Sequence, residues 1–381
     1  MNQLIFFLLI LVHSIFHVIR FVKEFQIGIP LQTKKSKYKP AAILWLSTAI
    51  LFLLTEILYL MGIDAWFIIG SLALVTSQTM IIIYWHEMKW GTLPNLLIAV
   101  IMVFTYSNIK FEENYKLDIV EHIKDNNFQS SDILREKDLA GLPRSVQKYL
   151  RYAKVLNKPK IKNFRVRFAG KMRSRKNDFF SFSSEQYNII DKPARLFFMK
   201  GKMYGFTFPA YHRYIGNTAK MDIRFYGLIP ILSMSGPVMD KTETVTFFND
   251  MCALAPATLI DKRITWVEIN DTLTRAIFKN GNISISAELH FNENGQLINF
   301  ISNDRTEINS MHQVPFSTPF SEYKKQNGYN LMSYGEAIWH YPEGNFIYGK
   351  FNLNDVRYNV KIDSVFIDPN QKMKYLKNLD F

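Results

Sequence analysis

The sequence predicts a membrane α-helical domain of four transmembrane helices joined to an α+β domain. The body of the second is a large curved antiparallel sheet, a half-barrel or open barrel with one or two helices. Three observations carry this. Four apolar runs, residues 4–22, 41–60, 65–84 and 93–109, each approach the ~20 residues a helix needs to cross a bilayer. No comparable run follows residue 110; short alternating apolar and polar stretches take over there. Asn280-Gly281 and Asn294-Gly295 then separate three such stretches in tandem, the strongest short signal for antiparallel hairpins.

Charge orients the helices. The connection after the first run carries Arg20, Lys23, Lys34, Lys35, Lys37 and Lys39 against Glu24. The 62–64 connection carries no Lys or Arg, and the next holds Lys89. Short basic connections stay cytoplasmic, so the first and third are expected there. The N-terminus and the large C-terminal domain are then expected outside. Lys110, Lys116 and Lys124 run against this assignment. The first run lacks the basic n-region and A-x-A-like site of a cleaved signal peptide, so it is expected to persist as a span. The expected organisation is a transmembrane domain over 1–110, a connector over 111–140 and an extracytoplasmic β-rich domain over 141–381.

The chain has 46 Lys+Arg against 33 Asp+Glu, a net charge of +13. On an exterior domain this excess serves solubility or contact with anionic lipid head groups. A nucleic-acid partner is not expected, because no zinc-finger spacing or RNA-binding aromatic signature occurs. The single cysteine, Cys252, excludes an intrachain disulfide and a Cys-based metal site. The exterior domain must therefore be held by its core alone, which its length permits. Beside Phe247, Phe248 and Met251, Cys252 reads as a small buried hydrophobe.

In the exterior part, Asp125-Asn126-Asn127 and Ser130-Ser131-Asp132 read as turn and cap residues of the connector. Leu142-Pro143 opens a lead-in helix with Val146, Tyr149, Leu150 and Ala153 as its apolar stripe. Phe164, Val166 and Phe168 alternate with Arg165 and Arg167, a half-buried strand with a basic outer face. Residues 180–187, 196–199, 206–214 and 219–225 supply further strands, and a helix over about 244–254 is closed by Pro256. A meander follows over 264–269, 273–278, 283–291 and 297–301. Within it Ile283, Ile285, Ala287, Leu289 and Phe291 alternate strictly with Ser284, Ser286, Glu288 and His290. The apolar set is expected on the concave side, lining any ligand site there, because a one-residue slip would expose all of it. Residues 337–341 and 346–358 form the last hairpin. A sheet this long should curl or close to manage its edges.

His13 and His17 share one helix face at i, i+4. At 1.5 Å per residue, Ser77 and Gln78 fall at a similar depth. Polar groups there face a bundle interior and find partners. They read as an interhelical hydrogen-bonded layer; the haem, metal or proton alternative lacks a third ligand. His86-Glu87 lacks the second His of a zinc-protease helix, since position 90 is Trp90. Trp85, His86 and Trp90 read as interfacial anchors. In the exterior domain the candidate polar residues are Glu185, Gln186, His212, Asp222, Asp304, Arg305 and His340, together with Trp339. Folding could assemble a carboxylate pair or a His–Asp dyad from them. Asp304-Arg305 reads first as a structural ion pair. No catalytic residue, metal or cofactor is assigned, because no G-x-S-x-G, Walker loop or G-x-G-x-x-G occurs. With 31 Phe, 19 Tyr and 6 Trp, the chain has enough aromatics to fill a core and still line a cavity for an apolar ligand.

Residues 21–25, Ser77-Gln78, Gly91-Thr92 and Asn95 carry a resemblance in the helical part. In the exterior part its carriers are Leu142-Pro143, residues 149–152, Glu185-Gln186, residues 256–259 with Trp266, Asp304-Arg305, residues 317–319, and residues 335–337 with Trp339. The chain resembles an uncharacterised bacterial family of membrane proteins with four amino-terminal helices and an extracytoplasmic domain of unknown function. The resemblance spans nearly the whole chain and transfers no active site. It implies an outer domain similar in fold to the curved-sheet lipoprotein carriers that hold acyl chains.

Three functions stay open at this level. The first is a membrane-anchored module that binds a lipid or other apolar ligand, favoured by the long sheet, the aromatics and the basic charge. The second is an extracytoplasmic hydrolase or transferase, and the third an intramembrane His-based redox or proton-coupled protein. The expected partners are the membrane bilayer and a lipid or apolar ligand, and the expected location is the cell membrane. Reporter fusions at Lys37 and at Phe381 are expected to report opposite sides of that membrane. A cytoplasmic C-terminal fusion would overturn the orientation.

Overall fold

The computed structural model describes residues 3–25, 39–124, 132–308 and 310–362. The chain divides into two compact units, Met1–Lys110 and Phe111–Phe381. The basic residues Lys34, Lys35 and Lys37 and the turn residues 125–127, Ser130 and Ser131 lie outside the described residues.

The first unit contains α1 (Gln3–Phe25), α2 (Lys39–Leu60), α3 (Ala65–Ile83), α4 (Trp85–Met88) and the first part of α5 (Thr92–Lys124). Among the described residues, four helices are long and apolar enough to cross a membrane, namely α1, α2, α3 and the helix ending at Lys124. Phe6, Ile10, Phe52, Trp66, Ile98 and Met102 meet inside the unit, while Leu4, Ile68, Ile82 and Leu93 stay exposed. Gly70 lets α3 approach its neighbours, because a Cβ there would collide with Met102 and Thr55.

In the second unit, α6 (Arg144–Tyr152) precedes β1 (Asn163–Met172), β2 (Phe180–Ile189), β3 (Ala194–Met203), β4 (Phe206–Ile215), β5 (Thr218–Phe225) and β6 (Ile229–Ser235). Then come α7 (Pro237–Leu254), β7 (Ile264–Asn270), β8 (Leu273–Asn280), β9 (Ile283–Phe291) and β10 (Leu297–Ser302). The small strands β11 (Thr306–Glu307) and β12 (His312–Gln313) pair with each other. After β13 (Phe316–Ser321), so do β14 (Lys324–Gln326) and β15 (Tyr329–Leu331). β16 (Tyr334–Tyr341) and β17 (Gly344–Tyr358) complete the chain's strands among the described residues.

Thirteen strands form one open sheet in the order β6-β5-β4-β3-β2-β1-β17-β16-β13-β10-β9-β8-β7. The expected tandem hairpins are β7 to β10, paired antiparallel with Ala276 opposite Ala287 and Phe300 opposite Leu289. Strands β6 and β13 have no counterpart in the sequence reading: each carries a proline, Pro230 and Pro319, which weakens a run as a strand signal. The sheet curls strongly. Laid flat, β4 and β8 would lie roughly 43 Å apart at ~4.8 Å per strand. Instead Asn280 Nδ2 on β8 donates to Tyr214 Oη on β4 at 2.7 Å. The curl is drawn around α7, which touches β4, β5 and β6 near one edge and β9 and β10 near the other.

α7 is buried around most of its circumference, as a helix enclosed by a sheet must be. It begins at Pro237, two turns earlier than the 244–254 expectation. Gly236 allows this by taking φ +98°, a turn that side chains resist. Phe248 stacks on Phe278, Phe247 meets the same ring at a tilt, and Phe248 also meets Phe300. Cys252 is fully buried, and burial pushes its thiol well above the ordinary range.

The stretch expected as a polar connector is helical to Lys124. Phe111, Tyr115, Ile119 and Ile123 recur every four residues and pack on Tyr187, Leu196, Phe198 and Tyr211, on the convex face of the sheet. The interspersed acids had masked this stripe; Asp118 binds Arg213 and Tyr211, and Glu112 pairs with Lys200.

In β9 the odd-numbered apolar residues point inward and Ser284, Ser286, Glu288 and His290 outward, as the alternation requires. They lie in the packed core with α7, and Phe291 meets Tyr149 of α6. Leu289 therefore has a structural task, and the expectation that it lines a ligand site is corrected: it is absent from the cavity described below. Leu289→Ala is expected to cost about 3 kcal/mol of stability in chemical denaturation. A loss below about 1 kcal/mol would show that the site is not close-packed.

Candidate functional site

The concave face is filled by α7 over β8, β9 and β10, and left unfilled between α7, β1 to β5 and β13, β16 and β17. A cavity of about 370 Å3 occupies that space. Alternation explains its lining. Phe168 of β1, Phe180 of β2, Phe197 and Met199 of β3, and Met221 and Ile223 of β5 project inward, whereas Arg167, Glu185 and Arg224 lie outside the lining. Trp339, Tyr341, Phe346 and Tyr348 of the last hairpin supply an aromatic wall with Phe316.

One part of the lining is ionic. Arg195 is buried, donating from Nε to Asp250 at 2.7 Å, from Nη1 to Glu243 at 3.1 Å and from Nη2 to Gln186 Oε1 at 3.0 Å. Gln186 Nε2 and Asn188 Nδ2 also donate to Asp250. His212 Nδ1 lies 3.5 Å from Glu243. Burial works to raise the Glu243 carboxyl, but the His212 contact and the Arg195 guanidinium outweigh it and hold it down at about 2. A His–carboxylate pair can orient a general base. Among the described residues, however, no hydroxyl or thiol is hydrogen-bonded to the His212 ring, so no activated nucleophile accompanies it.

Gln186, His212, Arg305 and Trp339, four of the residues selected from sequence, line this cavity. The others do not. Glu185 pairs with Arg167 at 2.7 Å. Asp222 is bound by Arg224. His340 contacts Ser317 Oγ and Asn345. The expected Asp304–Arg305 ion pair does not form. Asp304 accepts from Lys241 and from Ser286 N, while Arg305 turns to Tyr348 Oη. Arg195, Glu243 and Asp250 were not selected from sequence. Two signals mark them: Arg195 directly precedes the apolar run 196–199 of β3, and Glu243 and Asp250 stand two helical turns apart on one face of α7.

In the first unit, His13, His17, Ser77 and Gln78 belong to one hydrogen-bonded chain. His17 Nε2 lies 2.9 Å and His13 Nε2 3.3 Å from Ser77 Oγ. Ser77 donates to Asn95 Oδ1, Asn95 donates to Gln78 Oε1, and Gln78 donates to Thr92. Asn95 and Thr92 of α5 complete the layer. A smaller cavity of about 280 Å3 borders His13, His17, Trp45 and Trp90. On the second unit's part of α5, Asp118, Glu121 and His122 place three potential metal-ligand atoms within 4.8 Å of one another. Asp118 is already bound by Arg213 and Tyr211 there.

The fold and site define a class: an open-sheet domain with an internal, mainly apolar cavity, on a chain with four span-length helices. Residues 132–351 match a family described as a family of unknown function (DUF6544), and the chain belongs to that family. No curated protein matches the chain. Among solved structures, the crystal structure of the LolA superfamily protein NE2245 from Nitrosomonas europaea is similar at 10% identity, with a TM-score of 0.36 over 59% of this chain and 98% of that one.

The depressed Glu243 carboxyl makes a stability prediction. A folded-state value of about 2 against an ordinary 4.5 means that ionised Glu243 stabilises the fold above pH 4.5. That contribution, about 3 kcal/mol, is lost as pH falls from 4.5 towards 2. Glu243→Gln is expected to be about 3 kcal/mol less stable than the parent at pH 7, with the gap closing in denaturation curves taken below pH 4.5. A gap independent of pH would refute the ionic role.

Proposed function

We propose that the sheet domain binds a lipid or other apolar ligand in the cavity beside α7, and that α1, α2, α3 and α5 anchor it to the cell membrane. The carrying observation is the cavity itself. An apolar space of this size falls in the range of small-molecule sites, and it lies beside a core that is otherwise closely filled. Exposed Leu228, Ile229 and Ile231 at the β6 edge precede the cavity residue Leu232, and exposed Tyr204 and Phe206 lie at the β3–β4 turn, where Phe206 meets Phe225 of β5. Such a patch suits the passage of an apolar molecule. The basic first connection supports an extracytoplasmic position for the domain. The hydrolase or transferase alternative gains only the His212–Glu243 pair, and the His13–His17 layer is accounted for as bundle packing.

Met199→Trp tests this reading, because it fills the cavity from β3 while keeping an apolar wall. Lipid extracted from the purified full chain is measured by mass spectrometry. The parent is expected to retain lipid that the variant loses, at an unchanged melting temperature. Equal lipid in both would leave only lipid associated with the helices, and the binding reading would fall.

A further inference from the structure

We infer that the cavity's ligand is an amphiphile with a single anionic head, carboxylate or phosphate, and that Arg305 holds that head; this rests on the apolar-ligand reading above. The argument begins with the cavity's arginines. Arg195 is committed to Asp250, Glu243 and Gln186. Arg175 is ion-paired with Glu343. Arg305 has no carboxylate at ion-pair distance among the described residues. Its sequence neighbour Asp304 is bound by Lys241 and Ser286.

Arg305 Nη1 donates to Tyr348 Oη at 2.9 Å, and its Nε is buried with no hydrogen-bond partner. The guanidinium lies 4.1 Å from the Phe316 ring centre and 5.3 Å from that of Trp339. A guanidinium carries five N–H donors and accepts nothing. Aromatic faces offset part of its lost hydration but leave donors unused. A planar fork stacked on rings, with donors to spare, is the arrangement that receives a carboxylate or phosphate with two parallel hydrogen bonds.

The surroundings agree. Arg173 adds a second cation to the lining, over the Phe179 and Phe346 rings, with its Nε bonded to the Ile347 carbonyl. The acids are occupied: Glu243 and Asp250 by Arg195, and Glu307 by the Ser310 backbone N–H. The rest of the wall, from Phe168 and Phe197 to Met199, Met221 and Phe320, offers an apolar surface to a tail. One cavity thus has a cationic aromatic part and an apolar part, which matches a head and a tail.

The test uses the full chain in amphipol with two photoreactive probes, a diazirine-bearing long-chain fatty acid and the alcohol of equal length. Labelled peptides are mapped by mass spectrometry. Both probes are expected to label cavity segments of the parent. Arg305→Gln should cut fatty-acid labelling about tenfold and leave alcohol labelling unchanged. Arg305→Lys, which keeps the charge and loses the fork, should fall between. Competition by unlabelled fatty acid against alkyl phosphate shows which head is preferred, and displacement by either supports the inference. If Arg305→Gln lowers both probes alike, or neither, Arg305 does not hold a head and the inference is overturned while the binding reading stands. If neither probe labels the cavity of the parent, the binding reading itself fails. Thermal melting checks that Arg305→Gln is folded; should it melt early, the acid-to-alcohol ratio for Arg305→Lys decides in its place.

Discussion

The buried guanidinium of Arg195 sets how α7 sits inside the sheet. It spans two carboxylates two turns apart on the helix and a glutamine on the neighbouring strand. A buried ion pair is a weak source of net stability, because desolvation consumes most of its Coulomb energy. Its geometric consequence is larger: turning or sliding α7 would leave Arg195, Glu243 and Asp250 charged and unpaired in the interior. The helix orientation is thereby fixed, and Phe247 and Phe248 are directed at Phe278 and Phe300.

The cavity follows from that placement. A single helix is about 10–12 Å across, too narrow to cover the concave face of thirteen strands. α7 fills the side over β8 to β10, α6 adds Tyr149 against Phe291, and the space towards the last hairpin and β1 to β5 stays open. The far face is treated differently. There the end of α5 brings Phe111, Tyr115 and Ile119 against Leu196, Phe198 and Tyr211, so β2 to β4 are covered on the convex side while their inner residues line the cavity. This explains why β3 is continuously apolar over 196–199 rather than alternating there.

Period-2 geometry also sorts the polar residues. Adjacent Glu185 and Gln186 go to opposite faces, one to Arg167 and the other to the Arg195 cluster. His340 and Trp339 part in the same way. Asp304 and Arg305 follow the end of β10 and diverge without a strand between them, so one buttresses β9 and the other enters the aromatic wall.

Local pattern by itself determined the four span-length helices, the α6 stripe, the β7 to β10 meander and the inward set of β9. In each, neighbouring residues carry the signal through helical or strand period. The helical end of α5 was also present as Phe111, Tyr115, Ile119 and Ile123, but the acids between them concealed it. The site was only partly legible. Gln186, His212, Arg305 and Trp339 stood out as polar or aromatic residues, with nothing to say that they meet. What tertiary structure alone decided was the curl that brings β4 to β8, and with it the cavity, the Arg195 cluster and the unpaired Arg305. These depend on contacts between residues separated by tens of positions, such as Tyr214 with Asn280 and Arg195 with Asp250. No period along the chain encodes such pairs, because they form only when a long open sheet curls around the helix that satisfies its buried charge.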